Sequence, residues 1–399
     1  MTTTAPATAT GAAPFDPRDP EYLADPYAYF RQRRAESQVF VDPGTGKWFL
    51  LRYDDVDAGL ASITRGHTDG RGSQVHFPGN PFAADGPGHT GPRRIIMPAF
   101  SNRAVQRYRD RAQQIVDMAL ADKPDGGELR VVDEIGFPLP YHLTCDMLGV
   151  PGVDNVAELR DWTWKSLELI DAFLTPEQIA ENLRAAGCLA DHLAEVIEWK
   201  RDHLADDVVS AVIAAGDAGE VMRPEQVVAF VHTLYLAGMH TTVNQTALGL
   251  HALLEHRDQW ELLRAQPTLL ENAVEEILRY EPTAQYMCRT GWADNVIGGI
   301  TIPAGTDVVC WIASANRDEA RWGSTADDFD ITREDARQHL AFGKGPHVCV
   351  GSWLARLELQ VVLDTVVSRF PNTELVDQEL RWTNDVIRGP EELLIDLRS

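Results

Sequence analysis

Phe342-Gly343-Lys344-Gly345-Pro346-His347-Val348-Cys349-Val350-Gly351 sets one cysteine in a glycine-built loop, directly before an amphipathic run that begins at Ser352. A thiolate there can ligate a metal, and the backbone N–H groups at the start of the following helix favour negative charge on sulfur. Gly343 and Gly345 permit a tight backbone, and Gly351 leaves room for a flat group to lie against the helix. Phe342 can cover one side of the sulfur and limit water. A lone cysteine is ordinarily a buried free thiol. Six fixed positions, F-G-x-G-x-H-x-C-x-G, argue against that here, since average residue frequencies give about one chance match per million chains of this length.

Outward from this loop, 399 residues at 44% hydrophobic can bury a large core. No linker composition interrupts residues 15–399, which predicts one domain there. Residues 1–14 (MTTTAPATATGAAP) read as a disordered tail and carry neither the charged nor the apolar region of a secretory signal. No apolar run is long enough to span a bilayer, so a cytoplasmic protein is expected. Cys145, Cys188, Cys288, Cys310 and Cys349 form an odd set without a CxxC pair, which indicates neither a disulfide framework nor a zinc site. A net charge of −24 excludes nucleic acid as the expected partner. Against that acidity, Arg93, Arg94, Arg103, Arg107, Arg109 and Arg111 make a basic island. It is either a solvated helix face or a docking patch for an acidic protein.

The pattern is helix-dominated. Lys47–Arg52, Val296–Ile302 and Asp307–Ala313 read as strands, the last two joined by a turn at Pro303–Thr306. Asp154–Leu174 and Pro176–His203 read as helices, with Thr175 as N-cap of the second. Pro224–His256 predicts a long buried helix, and further helices are expected over Thr268–Tyr280 and Ser352–Arg369. Glu276 and Arg279 lie three apart on one of these, placed to pair.

The cysteine decapeptide resembles the haem-binding loop of the cytochrome P-450 family, soluble bacterial type. The order of elements is similar from near Phe15 to Ser399, including Phe137-Pro138-Leu139-Pro140 and Met147–Pro151. The resemblance implies a mainly α fold with small β-sheets (α+β). Its single triangular domain would hold haem b between the central helix and the Cys-loop helix, with Cys349 as axial thiolate. It implies that Glu276 and Arg279 join Arg333 in a structural network. It also implies that His89, Arg93, Arg289 and His347 hold the haem propionates. Pro92 would then sit at the start of the helix bearing Arg93, where a missing N–H costs nothing.

Ala237-Gly238-Met239-His240-Thr241-Thr242 resembles the family's oxygen-activating segment. There the resemblance implies that Gly238 opens space for dioxygen and that the Thr241 hydroxyl organises the water that delivers protons. The family's acid position is His240 in this chain. Three accounts stay open: His240 relays protons, it is a satisfied buried histidine, or the chemistry is altered.

The resemblance implies a monooxygenase that inserts one oxygen atom of O2 into a C–H bond, by hydroxylation or O-demethylation. The substrate would be a small or medium apolar organic molecule. No flavin, iron–sulfur or dinucleotide module is visible in the chain, so electrons are expected from outside; the resemblance implies ferredoxin, ferredoxin reductase and NAD(P)H as their source, and a monomer. The resemblance also implies pocket walls from Leu234, Val386 and Ile387 and the regions Arg71–Ala84 and Trp162–Phe173, with Gln285 and Tyr286 as polar anchors. A peroxide-driven haem-thiolate enzyme and a non-catalytic haem-thiolate sensor are the alternatives.

Overall fold

A computed structural model describes residues 15–16, 19–37, 39–63, 80–123, 127–153, 155–219, 221–224, 226–383 and 386–399. The tail at 1–14 and most of the Arg71–Ala84 wall lie outside these residues. The organising element is the helix Gln226–Glu255, apolar nearly all round and buried along most of its length, as a helix enclosed by others should be. Helices Pro138–Leu148, Val156–Glu168, Pro176–Arg201 and Ser352–Arg369 pack on it. The Ser352–Arg369 boundaries match the expected ones: the loop glycines precede its start, and Pro371 follows its end. Thr175 caps Pro176–Arg201 through a reciprocal capping box with Gln178. Among the described residues no helix is long and apolar enough to cross a membrane.

The main sheet joins the two halves of the sequence. Val39–Val41 pairs antiparallel with Trp48–Leu50, which runs parallel to Asp307–Cys310, which in turn pairs antiparallel with Met287–Thr290. An aromatic cluster around Trp311, with Phe15, Tyr22, Phe30, Phe49 and Tyr286, packs beside it. A second sheet ties Gly127–Arg130 and Glu374–Leu375 to the final strand Leu394–Leu397.

Three expectations need correction. Val296–Ile302 is not one strand but the hairpin Asn295–Ile297 and Ile300–Ile302, turned by Gly298 and Gly299 at φ +56° and +78°. Two successive left-handed residues reverse a chain that would otherwise run straight. The strand from Asp307 ends at Cys310, because Trp311 turns into the aromatic cluster and Ile312–Ala315 coils into a helical turn. Pro92 lies inside the helix Pro87–Ile96, whose first position is Pro87; the Gly88 carbonyl therefore receives no helical N–H.

Candidate active site

The cysteine loop is built by backbone demands that only glycine meets. Gly343 and Gly345 take φ of +71° and +70°. A Cβ at Gly345 would stand 2.9 Å from the Ala61 Cα, so the close approach to helix Tyr53–Ser62 also requires glycine. The Cys349 N–H donates to the Phe342 carbonyl at 2.8 Å and closes the loop. Cys349 is exposed, and a Cβ at Gly351 would meet only its sulfur, at 3.9 Å. Although its surface is open, the protein atoms crowded around the sulfur displace enough solvent to push the thiol up. The backbone of Gly351 and Ser352 and the guanidinium groups of Arg93 and Arg356 oppose that shift, as expected for a sulfur at a helix start. Arg356 lies 4.5 Å over the Phe342 ring.

Two ion networks tie the helix Leu270–Tyr280 to the chain that flanks the loop. Glu276 and Arg279 are fully buried and pair at 2.7 Å, and Arg333 reaches Glu276 at 3.3 Å. Arg279 also donates to the carbonyls of Asn316, Ala326 and Asp328. The second network escaped the sequence reading. Glu275, also buried, takes both forks of Arg356 at 2.8 and 2.9 Å and accepts from His339 at 3.1 Å. The Ala341 N–H donates to the other nitrogen of His339, so a neutral ring satisfies both contacts. Burial would raise Glu275, but its bonds to His339 and Arg356 prevail and hold it down at about 2. An acidic residue directly before Glu276 was visible, but its partners lie 64 and 81 positions away and no spacing links them.

Basic side chains converge beside the loop. His89 is buried and stacks on His347 at 4.1 Å, while His347 meets Asp85 at 3.0 Å. Arg93 donates to the Val348 carbonyl within the cysteine loop. Arg289 is buried, yet among the described residues no carboxylate pairs with it and its Nε has no acceptor. A buried guanidinium without an anion is costly. An exposed loop thiol together with this arginine fits a ligand that carries both a metal and carboxylates, as haem does.

The central helix, buried along most of its length, exposes Ala237 and leaves Thr241 half-buried. The Thr241 hydroxyl donates to the Ala237 carbonyl at 2.9 Å. At Gly238 a Cβ would stand 2.6 Å from Thr144 Oγ1, so the missing side chain admits the helix Pro138–Leu148. His240 is buried, with Nε2 2.8 Å from Thr163 Oγ1 and its ring edge-on to Trp164 at 4.5 Å. Burial, and then the Arg160 charge, push it down to about 3.

The expected pocket residues divide. Leu234 is buried one turn before Gly238. Gln285 donates to the Pro282 carbonyl, but its Oε1 has no partner among the described residues. Its backbone N–H bonds the Val386 carbonyl, and the Ile387 carbonyl accepts from Asn244 of the central helix. Tyr286 is a correction: it is fully buried in the aromatic cluster and its hydroxyl donates to Asp171 at 2.7 Å, so it is core rather than a pocket anchor. Arg94, Arg103 and Arg107 of the basic island are exposed, and the helix Asn102–Val105 packs on the Cys-loop helix. Arg109 is engaged by Gln360, and Arg111 by Asp146.

A family model described as cytochrome P450 matches residues 153–393. The chain is 35% identical to the cytochrome P450 monooxygenase PikC of Streptomyces venezuelae, over 95% of this chain and 92% of that protein. It is 33% identical to a vitamin D(3) 25-hydroxylase of Pseudonocardia autotrophica, over 96% of each. Its fold is similar to that of CalO2, with a TM-score of 0.87 at 29% identity over 97% of this chain and 99% of that one. It is also similar to P450BioI, solved with an acyl carrier protein carrying hexadec-9Z-enoic acid, with a TM-score of 0.86 at 28% identity over 95% and 100% of the two chains. With a mainly helical fold built around a loop cysteine and matches spanning nearly its whole length, the chain belongs to the cytochrome P450 family and is a P450 monooxygenase.

Proposed function

We propose that this enzyme binds haem b through Cys349 and inserts one atom of O2 into a C–H bond of a small or medium apolar organic substrate. The observation that carries the reading is the pairing of an exposed thiol, on a loop only glycine can form, with a buried arginine that has no anionic partner among the described residues. Arg289 and Arg93, with His89 and His347, would hold the propionates. Haem bound through a thiolate supplies oxygen activation, the sulfur favouring cleavage of the O–O bond. The chain's own work is to hold the thiolate, orient the substrate and manage water and protons. Thr241, its hydroxyl tied to Ala237, is the group placed to position a proton on the exposed face of the central helix.

Leu234, Gln285, Val386 and Ile387 would form the substrate wall, with the Gln285 Oε1, unpartnered among the described residues, offering one acceptor in apolar surroundings. Electrons would come from ferredoxin, with its reductase and NAD(P)H, docking in the cytoplasm on the face that carries Arg103 and Arg107. The test is Cys349→Ser beside the exposed Cys188→Ser. Only the first should abolish the red-shifted absorption of the reduced, carbon-monoxide-bound enzyme and its ligand-induced spectral changes. Retention of that absorption in Cys349→Ser would sink the reading.

A further inference from the structure

Thr163 is not among the residues whose roles follow from the loop or from the propionate site, yet it decides what His240 can do. It is fully buried on the helix Val156–Glu168, and its hydroxyl donates to the Arg160 carbonyl at 2.9 Å. A hydroxyl has one hydrogen. Toward His240 Nε2, 2.8 Å away, Thr163 can therefore only accept, and the imidazole must carry its proton on Nε2. Nδ1 is then a bare lone pair, and it has no partner among the described residues. Protonating it would bury an N–H without an acceptor, close to a guanidinium. Arg160 is the charged group that acts on the ring; it stacks 4.9 Å over Phe137 and pairs with Asp133 of the segment Val132–Gly136 at 2.8 Å.

The ring is also sealed. A cleft of about 470 Å³ lined by Arg160, Trp164, Asn244 and Trp382 opens on this side of the protein. Trp164 both lines that cleft and meets the imidazole edge-on at 4.5 Å, and His240, itself buried, does not line it. A relay must both take up and release a proton; this group has a fixed donor and an acceptor that cannot be filled without cost.

We propose that Thr163 is a positioning residue of the oxygen-activating segment, which fixes His240 as a neutral Nε2–H latch between two helices and closes residue 240 as a route for protons. The inference rests on the proposed haem-thiolate function and concerns one residue pair within it. It selects the satisfied-histidine account of His240 over the relay.

The test uses the haem-loaded enzyme labelled with nitrogen-15 histidine, the His240 signal being identified by its loss in His240→Asn. The expected signal is a neutral ring protonated at Nε2 that does not titrate across about pH 5 to 8, where histidine ordinarily does. Thr163→Val removes the hydroxyl acceptor and leaves the Nε2–H only the Arg160 carbonyl, which also bonds the ring. It is expected to redistribute the tautomers and to raise the peroxide released per NAD(P)H consumed about fivefold, the equivalent of one ordinary hydrogen bond. Thr163→Ser should restore both. A native His240 that titrates in that range, or a Thr163→Val enzyme unchanged in both readouts, overturns the proposal. The reduced carbon-monoxide spectrum is recorded first. A native enzyme without the thiolate band defeats the proposed function, whereas an intact band with a titrating His240 defeats the latch alone.

Discussion

Replacing Arg279 by alanine should cost this protein more stability than any surface charge change, and the structure sets the size. Arg279 has five N–H groups and makes five hydrogen bonds: two to Glu276, at 2.7 and 2.8 Å, and three to the carbonyls of Asn316, Ala326 and Asp328, at 2.7 to 2.9 Å. Neither Arg279 nor Glu276 has exposed side-chain surface. Alanine leaves a buried carboxylate with only Arg333 and the Asp330 N–H as donors, and it strips three carbonyls of the partner Arg279 gave them. Breaking a buried pair from one side costs about 3–5 kcal/mol, and the three carbonyls place Arg279→Ala toward the upper end. With an unfolding entropy of about 2.1 cal/mol/K per residue, about 400 residues give about 0.84 kcal/mol/K, so the midpoint should fall by about 4–6 °C. Arg201→Ala is the control, because Arg201 pairs with Asp217 at 2.7 Å on the surface and such pairs are worth less than about 1 kcal/mol. Thermal unfolding of the haem-loaded enzyme, followed by far-ultraviolet circular dichroism, reads both. Equal midpoints for the two variants would refute the claim that burial and full satisfaction set the value of this pair.

Charge reversal at Arg103 or Arg107, both exposed beside the Cys-loop helix, should slow reduction by ferredoxin and flatten its salt dependence; stopped-flow reduction at low and high salt checks this. Because Glu275 is held at about 2 against an ordinary 4.5, its contribution is complete above pH 4.5 and is lost as pH falls toward 2. That contribution is at most about 3 kcal/mol, and denaturant midpoints for native and Glu275→Gln enzyme should converge across this window. Gly238→Ala forces a methyl against Thr144 Oγ1 at 2.6 Å and should destabilise by about 1–3 kcal/mol. Adding Thr144→Ala leaves Cβ at an ordinary 3.5 Å and should recover most of that loss in thermal unfolding.

Local signals were legible where local chemistry decides. The loop glycines and Pro371 bracket the helix Ser352–Arg369, and Thr175 with Gln178 announces the start at Pro176. The hairpin at Gly298-Gly299 was missed although its signal was present, a Gly-Gly pair between the β-branched runs Val296-Ile297 and Ile300–Ile302; both glycines take the left-handed angles that such a turn requires. Tyr286 was taken for a pocket anchor because a tyrosine in an apolar stretch looks the same whether its hydroxyl meets a ligand or Asp171. Arg333 was found through family resemblance, and the Glu275 network was not found at all. Both depend on contacts between residues tens of positions apart, which periodicity does not encode.

The central helix shows how such contacts convert a short motif into a positioned site. Successive residues turn by about 100°, so Gly238 and His240 point about 200° apart, on nearly opposite flanks. Thr144 of Pro138–Leu148 fills the first flank, and Thr163 of Val156–Glu168 holds the second. Ala237 and Thr241, four apart and so within about 40° of each other, remain on the face between them, where Ala237 is exposed and Thr241 half-buried. The segment is gripped on both sides of the face that carries its hydroxyl. On this view Gly238 and His240 act by fixing where Thr241 stands, one through the absence of a side chain and the other through a neutral ring. Substitutions at either flank should therefore disturb proton placement, although the proposed latch gives neither residue a proton to exchange.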